Sequence, residues 1–194
     1  MTLRRELLDA VVELAGQVGY RGLTLQLVLD RVGIGNRAFH REFDDVGAAF
    51  DAAYEQIADD LCDELLAVGG AAEDWSSGFR AALDAYLAWV AREPAAARVL
   101  LVEHRVAGGR STATHERVCK RLERALDSGR RLAGPATEPP SLTPAFVLGA
   151  IEAASTELVI RREAAGAPEL GPSLAYFGVL LYLGAEVAER EPER

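Results

Sequence analysis

The sequence contains a single lysine, Lys120, a single methionine and two cysteines among its 194 residues. Cys62 and Cys119 lie far apart and form no CxxC, which excludes a disulfide framework and fits two reduced thiols in a cytosolic protein. No apolar run reaches about 18 residues, so no membrane span is expected. The N-terminal stretch "MTLRRELLDAVVELAGQ" places acids inside its apolar pattern and does not read as a signal peptide. No convincing strand alternation and no internal repeat occur. No GxSxG, P-loop, GxGxxG or HExxH is present, and "GGRSTATH" lacks the lysine of a phosphate loop. With no nucleophile–base constellation in view, a non-enzyme is expected.

Positive charge is also in deficit, with 21 lysines and arginines against 30 acids. The formal net charge is −9, which argues against a generic nucleic-acid binder. The first fifty residues differ in degree. There, six arginines (4, 5, 21, 31, 37, 41) face seven acids, a net of −1, so −8 of the total lies in the other 144 residues. Only placement on one face could make that segment locally basic.

What is present is helical periodicity and a hydrophobic content of 49%, enough for a packed core. Leu7, Val11, Leu14, Ala15 and Val18 recur at helical spacing, and Gly19 is placed to end that helix. Leu25, Val28, Leu29 and Val32 form a second helix closed by Gly33, and residues 34–43 supply a short third. Further helices are expected over about 46–68, 73–92, 94–107, 112–132, 143–165 and 170–189. Pro94 suits a first helical turn, and "GPATEPPS" reads as a loop. The expectation is an all-α chain: residues 1–45 as a three-helix, helix-turn-helix unit, and 46–194 as a larger helical unit for ligand binding and dimerisation.

The second and third helices, split by "VGIGN", carry the chemistry. A helix-turn-helix lays its last helix in the DNA major groove while the preceding helix crosses the backbone. Ile34, Ala38, Phe39 and Phe43 can face inward, leaving Asn36, Arg37, His40 and Arg41 outward. Arginine suits guanine or phosphate, and asparagine suits adenine. Ala38 is counted in both sets, as an apolar position and among the residues that meet DNA.

The segment Glu6–Tyr54, with "LLDAVVELAGQVGYRGLTLQLVLDRVGIGNRAFHREF", resembles the N-terminal domain of TetR-family transcriptional regulators in order and spacing. "YLAWVAREPAAARVLLVE" and "LLYLGAEVA" extend the resemblance more loosely. It implies a cytoplasmic, homodimeric, ligand-responsive repressor acting on a double-stranded DNA operator, released by a small molecule. Thr24 then caps the second helix and approaches a phosphate. The chain departs from the pattern at Gly35, where the family has serine, at His40, where it has tyrosine, and at Val46, where it often has lysine. Leu27 stands at a position that is usually polar. Phosphate contacts supply most non-specific affinity, so these departures point to weaker binding. The alternative is a helical small-molecule-binding protein whose DNA binding has degenerated.

The larger unit holds several open readings. Phe79, Tyr86, Trp89, Leu100 and Phe146, with Trp75, can border an apolar cavity or simply pack as core. Glu103 and His104, after the apolar run "VLLV", can orient a ligand or satisfy each other. Such a pocket suits an apolar or cationic effector. His115 and Cys119 at i, i+4, with Glu116 nearby, can begin a metal site, but no further ligand is evident and neither metal nor cofactor is expected. The last two helices are apolar on more than one face, which suits a homodimer interface or an internal hairpin.

Overall fold

The computed structural model describes residues 2–132 and 138–189. Among these residues the chain is helical, with no strand. The order is α1 (Leu3–Val18), a 3-10 turn (Tyr20–Gly22), α2 (Leu25–Val32), α3 (Asn36–Phe39), α4 (Val46–Gly70) and α5 (Trp75–Arg92). Next come α6 (Pro94–Arg98), a π-helical segment (Val99–Glu103), α7 (His104–Ala107) and α8 (Gly109–Leu126). A 3-10 segment (Asp127–Leu132), α9 (Thr143–Arg161), another 3-10 segment (Ala164–Leu170), α10 (Gly171–Leu183) and α11 (Ala185–Glu189) complete it. The first half of the loop "GPATEPPS" lies outside the described residues.

Local chemistry sets the helix ends. Thr2 accepts from the Arg5 N–H, Thr24 from Leu27 N–H at 3.3 Å, Asp45 from Ala48 N–H at 2.7 Å and Asp74 from Ser77 N–H at 3.0 Å. Each satisfies one amide that the first turn leaves unpaired. Gly33 closes α2 in the left-handed region, at φ 75° and ψ 37°, where a side chain is strained.

Two apolar cores form. The first gathers Leu7, Val11 and Leu14 of α1, Val28 and Leu29 of α2, Phe39, Phe43, and Phe50, Tyr54 and Ala58 of α4. The second gathers Leu61 and Leu65 of α4, Phe79, Leu83 and Leu87 of α5, and apolar residues of α9 and α10. α4 therefore serves both cores without a break, and the head formed by α1–α3 extends its packing well past residue 45. At Gly16 an added Cβ would lie 2.7 Å from Ala95, so α1 rests directly on the start of α6.

Several expected helices have different limits. The third spans Asn36–Phe39 rather than 34–43, continuing as hydrogen-bonded turns to Phe43. A single turn cannot stand alone in water. Phe39, fully buried, anchors it, and its burial stabilises by about 1.5–3 kcal/mol. Asn36 is the first helical residue and Gly35 the cap position, with no side chain bonded to the turn. The last helix is divided at Gly184, whose φ of 84° ends α10. α9 is long and apolar enough to cross a membrane by length and composition, with a mean hydropathy of 1.3 and only 33% of that stretch buried. In the sequence Glu152 and Glu157 interrupt this stretch, so it holds no continuous apolar run of that length. Glu152 lies beside Arg105 at 2.9 Å.

Candidate functional site

The helix-turn-helix surface is built by Thr24, Asn36, Arg37, His40 and Arg41, all exposed, with Ala38 partly covered. Inward anchoring by Phe39 and Phe43 leaves the alternate positions facing out. Among the described residues neither Arg37 nor Arg41 has an ion-pair partner, so both guanidiniums are available. The acids nearby are partly engaged. Arg4 lies over the Phe43 ring at 4.4 Å and bonds to the Glu42 carbonyl at 3.1 Å, with the Glu42 carboxylate at 4.0 Å. Asp45 is committed to capping α4. His40 sits edge-on to Phe39, ring centroids 5.4 Å apart. Val46 opens α4 and offers no donor. Leu27 is 37% exposed on α2.

The second feature is a cavity of about 550 Å³ between α4, α5, α8 and α9, a volume typical of small-molecule sites. Its wall is mainly apolar: Leu61, Leu65, Trp75, Phe79, Leu83, Leu100 and Leu122 contribute. Trp75 stacks on Phe79 with centroids 5.5 Å apart and meets Tyr182 at 4.7 Å. Gly178 permits this packing, since a Cβ there would lie 2.3 Å from the Phe79 ring.

One end of the cavity is polar. The Tyr54 hydroxyl lies 3.1 Å from His115 Nδ1, Cys119 Sγ lies 3.4 Å from His115 Nε2, and Glu152 Oε1 lies 3.5 Å from His115 Nε2. Burial, with Glu152 and Glu123 adding to it, pushes the Cys119 thiol up to about 12. Burial likewise raises the Tyr54 hydroxyl and lifts Tyr86 to about 12. Charged pairs close the flank beside this end. Arg117 bonds Asp59 through two nitrogens at 2.7 and 2.9 Å, and Arg121 bonds Asp63 at 2.5 Å, tying α8 to α4. Such exposed pairs are individually weak, yet they converge on one seam.

Of the residues expected at a ligand, Phe79, Tyr86 and Leu100 line the cavity and four do not. Trp89 is buried in the second core away from it. Phe146 is 66% exposed on the outer side of α9, because Val147, Ile151, Ser155 and Val159 occupy the inner side. Glu103 is buried and faces the head: its carboxylate accepts the Tyr20 N–H at 2.8 Å and pairs with Arg98 at 2.9 Å. His104 stacks on His115, centroids 4.5 Å apart, and lies tilted against Tyr54 at 5.3 Å, behind the polar end. Burial, reinforced by His115 and Arg105, lowers its imidazole to about 4. The π-helical segment explains the misplacement of Glu103. Its wider turn breaks the 3.6-residue period on which face assignment depends. Trp75 lines the cavity as its aromatic character suggests, and Tyr54 and Glu152 join it without any mark in the sequence that places them there. Glu152, not Glu116, is the acid that meets His115 and Cys119.

A three-helix head with an exposed recognition turn, set on a helical body with an interior cavity, defines a two-part helix-turn-helix protein. No family model and no curated protein sequence matches the chain. Solved structures do. FadR of Bacillus subtilis, a transcriptional regulator determined in complex with stearoyl-CoA, aligns with a TM-score of 0.77 at 14% identity, over 93% of this chain and 98% of its own. SmeT, the repressor of the Stenotrophomonas maltophilia efflux pump SmeDEF, aligns with a TM-score of 0.75 at 17% identity, over 94% and 91%. A TetR-family regulator from Pectobacterium atrosepticum aligns with a TM-score of 0.68 at 23% identity, over 92% and 91%. The chain has the fold of the TetR-family transcriptional regulators.

Proposed function

We propose that the chain is a DNA-binding transcriptional regulator, a repressor released from its operator by a small molecule bound in the cavity. One observation carries this reading above the others: a single segment joins the two sites. Leu100 and Leu101 of the π-helical turn line the cavity, while Glu103 of the same turn holds Tyr20 of the head. Tyr20 in turn packs edge-on against Phe50 of α4 at 4.8 Å. A ligand pressing on the turn would move Glu103, Tyr20 and the N-terminal half of α4 together. A dimer reads half-sites about 34–36 Å apart, so a small shift of the two heads suffices to spoil simultaneous docking.

The effector is proposed as an apolar molecule with a cationic or hydrogen-bonding end. The apolar wall supports the first part, and the Tyr54, His115 and Glu152 cluster supports the second. The stearoyl-CoA of the Bacillus subtilis FadR complex is an instance of a ligand with a long acyl chain on this fold.

Homodimerisation is proposed through α9 and α10. Phe146, Ile160 and Phe177 are each more than half exposed there, beside Gly149 and Ala153, which carry little bulk on the outer side of α9. An isologous interface would cover this apolar surface. The proposed location is the cytoplasm.

The test is a mobility shift with palindromic DNA from upstream of the gene, across a salt series. Sequence-selective binding that weakens as salt rises supports the regulator. Equal, weak binding to all sequences favours the second reading, a ligand-binding protein with degenerate DNA affinity. Val46 and the uncapped Gly35 are the observations on that side.

A further inference from the structure

The polar end of the cavity has a geometry that hydrogen bonding alone does not require. His115 and Cys119 stand one helical turn apart on α8, on one face. Glu152 reaches the same point from α9, and the three ligand atoms all lie within 4.8 Å of one another. Zinc bonds of roughly 2.0–2.3 Å in a tetrahedron place neighbouring ligand atoms about 3.3–3.7 Å apart. Two of the three edges, 3.4 Å (Cys119 Sγ to His115 Nε2) and 3.5 Å (His115 Nε2 to Glu152 Oε1), fall in that range, and the third, between Cys119 and Glu152, lies within 4.8 Å. We propose that His115 Nε2, Cys119 Sγ and Glu152 form a three-residue site for a divalent transition metal of the zinc class, opening on the cavity.

The surroundings fit this chemistry. His115 turns its other nitrogen, Nδ1, to the Tyr54 hydroxyl at 3.1 Å. An Nδ1–H donated to Tyr54 leaves the Nε2 lone pair directed at the metal, the outer-shell arrangement that fixes a ligating histidine. His104 stacked behind His115 restrains the ring plane. Arg105, its side chain 60% exposed, holds Glu152 at 2.9 Å and positions the carboxylate from the solvent side. One thiolate and one carboxylate balance a dication. Sulfur, nitrogen and oxygen together suit zinc or cobalt(II) rather than magnesium or calcium, which take oxygen.

All three residues line the cavity, so the fourth position faces its interior. That is the layout of an open site, three protein ligands plus an exchangeable one. Water or a donor atom of a bound effector would occupy it. The site deepens the reading of the cavity as a ligand site, and its test needs neither DNA nor effector.

Cobalt(II) chloride is titrated into the purified, reduced, full-length protein after chelator treatment, and absorption is recorded. Saturation at one equivalent per chain, with a thiolate-to-cobalt charge-transfer band and tetrahedral visible bands displaced by zinc, is the expected result. Cys119→Ser should abolish the charge-transfer band, and Cys62→Ser should keep it. His115→Gln and Glu152→Gln should each weaken binding by more than about 100-fold. Tyr54→Phe, which removes an outer-shell partner, should weaken it by about 10–100-fold. Circular dichroism checks that each variant is folded, and the wild-type titration stands without them. Absence of a thiolate band in the wild type overturns the proposal. So does a band that survives Cys119→Ser. Either failure leaves the regulator reading intact, because that reading rests on the head and the π-helical turn.

Discussion

Glu103 accepts the backbone N–H of Tyr20 at 2.8 Å, across 83 residues of sequence and across the seam between head and body. The carboxylate is buried and its only cationic neighbour among the described residues is Arg98. Glu103→Gln would keep the shape but lose the charge on this bond. Hydrogen bonds to charged groups contribute about 1.5–3 kcal/mol, and a loss within that range is expected in urea unfolding. Exchange of the Tyr20 amide should accelerate more than that of amides in α5. Equal protection of Tyr20 in both proteins would remove Glu103 from the coupling path.

Arg37 lies within α3 and Arg41 in the turn that follows it, and their losses should differ in kind. Arg37→Ala should cost about 1–3 kcal/mol and relax preference at one base position. Arg41→Ala, if it meets phosphate, should weaken binding evenly and reduce the salt slope by about one. Val46→Lys should tighten binding to all sequences alike. Silence of both arginine variants on selected DNA would mean that the head survives as a packing unit.

The outer surface of α9 should be covered in solution. Ala153→Arg places a charge on the exposed side of that helix, one turn from Gly149. Sedimentation should find a dimer for the wild type at micromolar concentration and a monomer for the variant. A monomeric wild type would overturn the proposed interface.

Asp74 offers a pH-dependent contribution of known sign. Bonds from Ser76 and Ser77 hold its carboxylate down at about 2, against 3.8 in an unstructured chain. A depressed value stabilises the folded state above about pH 4, and the contribution is lost as pH falls toward 2. Asp74→Asn should flatten that part of the stability–pH curve. Asp74→Ala should cost about 0.5–2 kcal/mol at neutral pH through the lost cap. Thermal melts of both variants at several pH values between 2 and 7 check this.

The sequence made the all-helical architecture legible because its apolar residues keep a 3.6-residue period over long stretches, as in α1 and α4. The helix-turn-helix was equally legible, through Thr24, Gly33 and the spacing of Phe39 and Phe43. Helix limits were less so: nothing in "IGNRAFHREF" announces that only Asn36–Phe39 closes as helix. The cavity was partly legible through Phe79 and Tyr86. The place of Glu103 is not legible because a π-helical turn leaves no mark in a single sequence, and face assignments toward its far end slip. His115 and Cys119 could be paired by their spacing. Glu152, on another helix, could join them only once the packing of α8 on α9 was known.

The unbroken α4 has a thermodynamic consequence. Its N-terminal half completes one core and its C-terminal half the other, so neither core can dissolve while the other keeps its full complement of contacts. The head owns only α1, α2 and a single helical turn, too little apolar surface to persist once α4 unwinds. Cooperativity follows from this shared rod: calorimetric and van't Hoff enthalpies should agree, with head and body melting as one species.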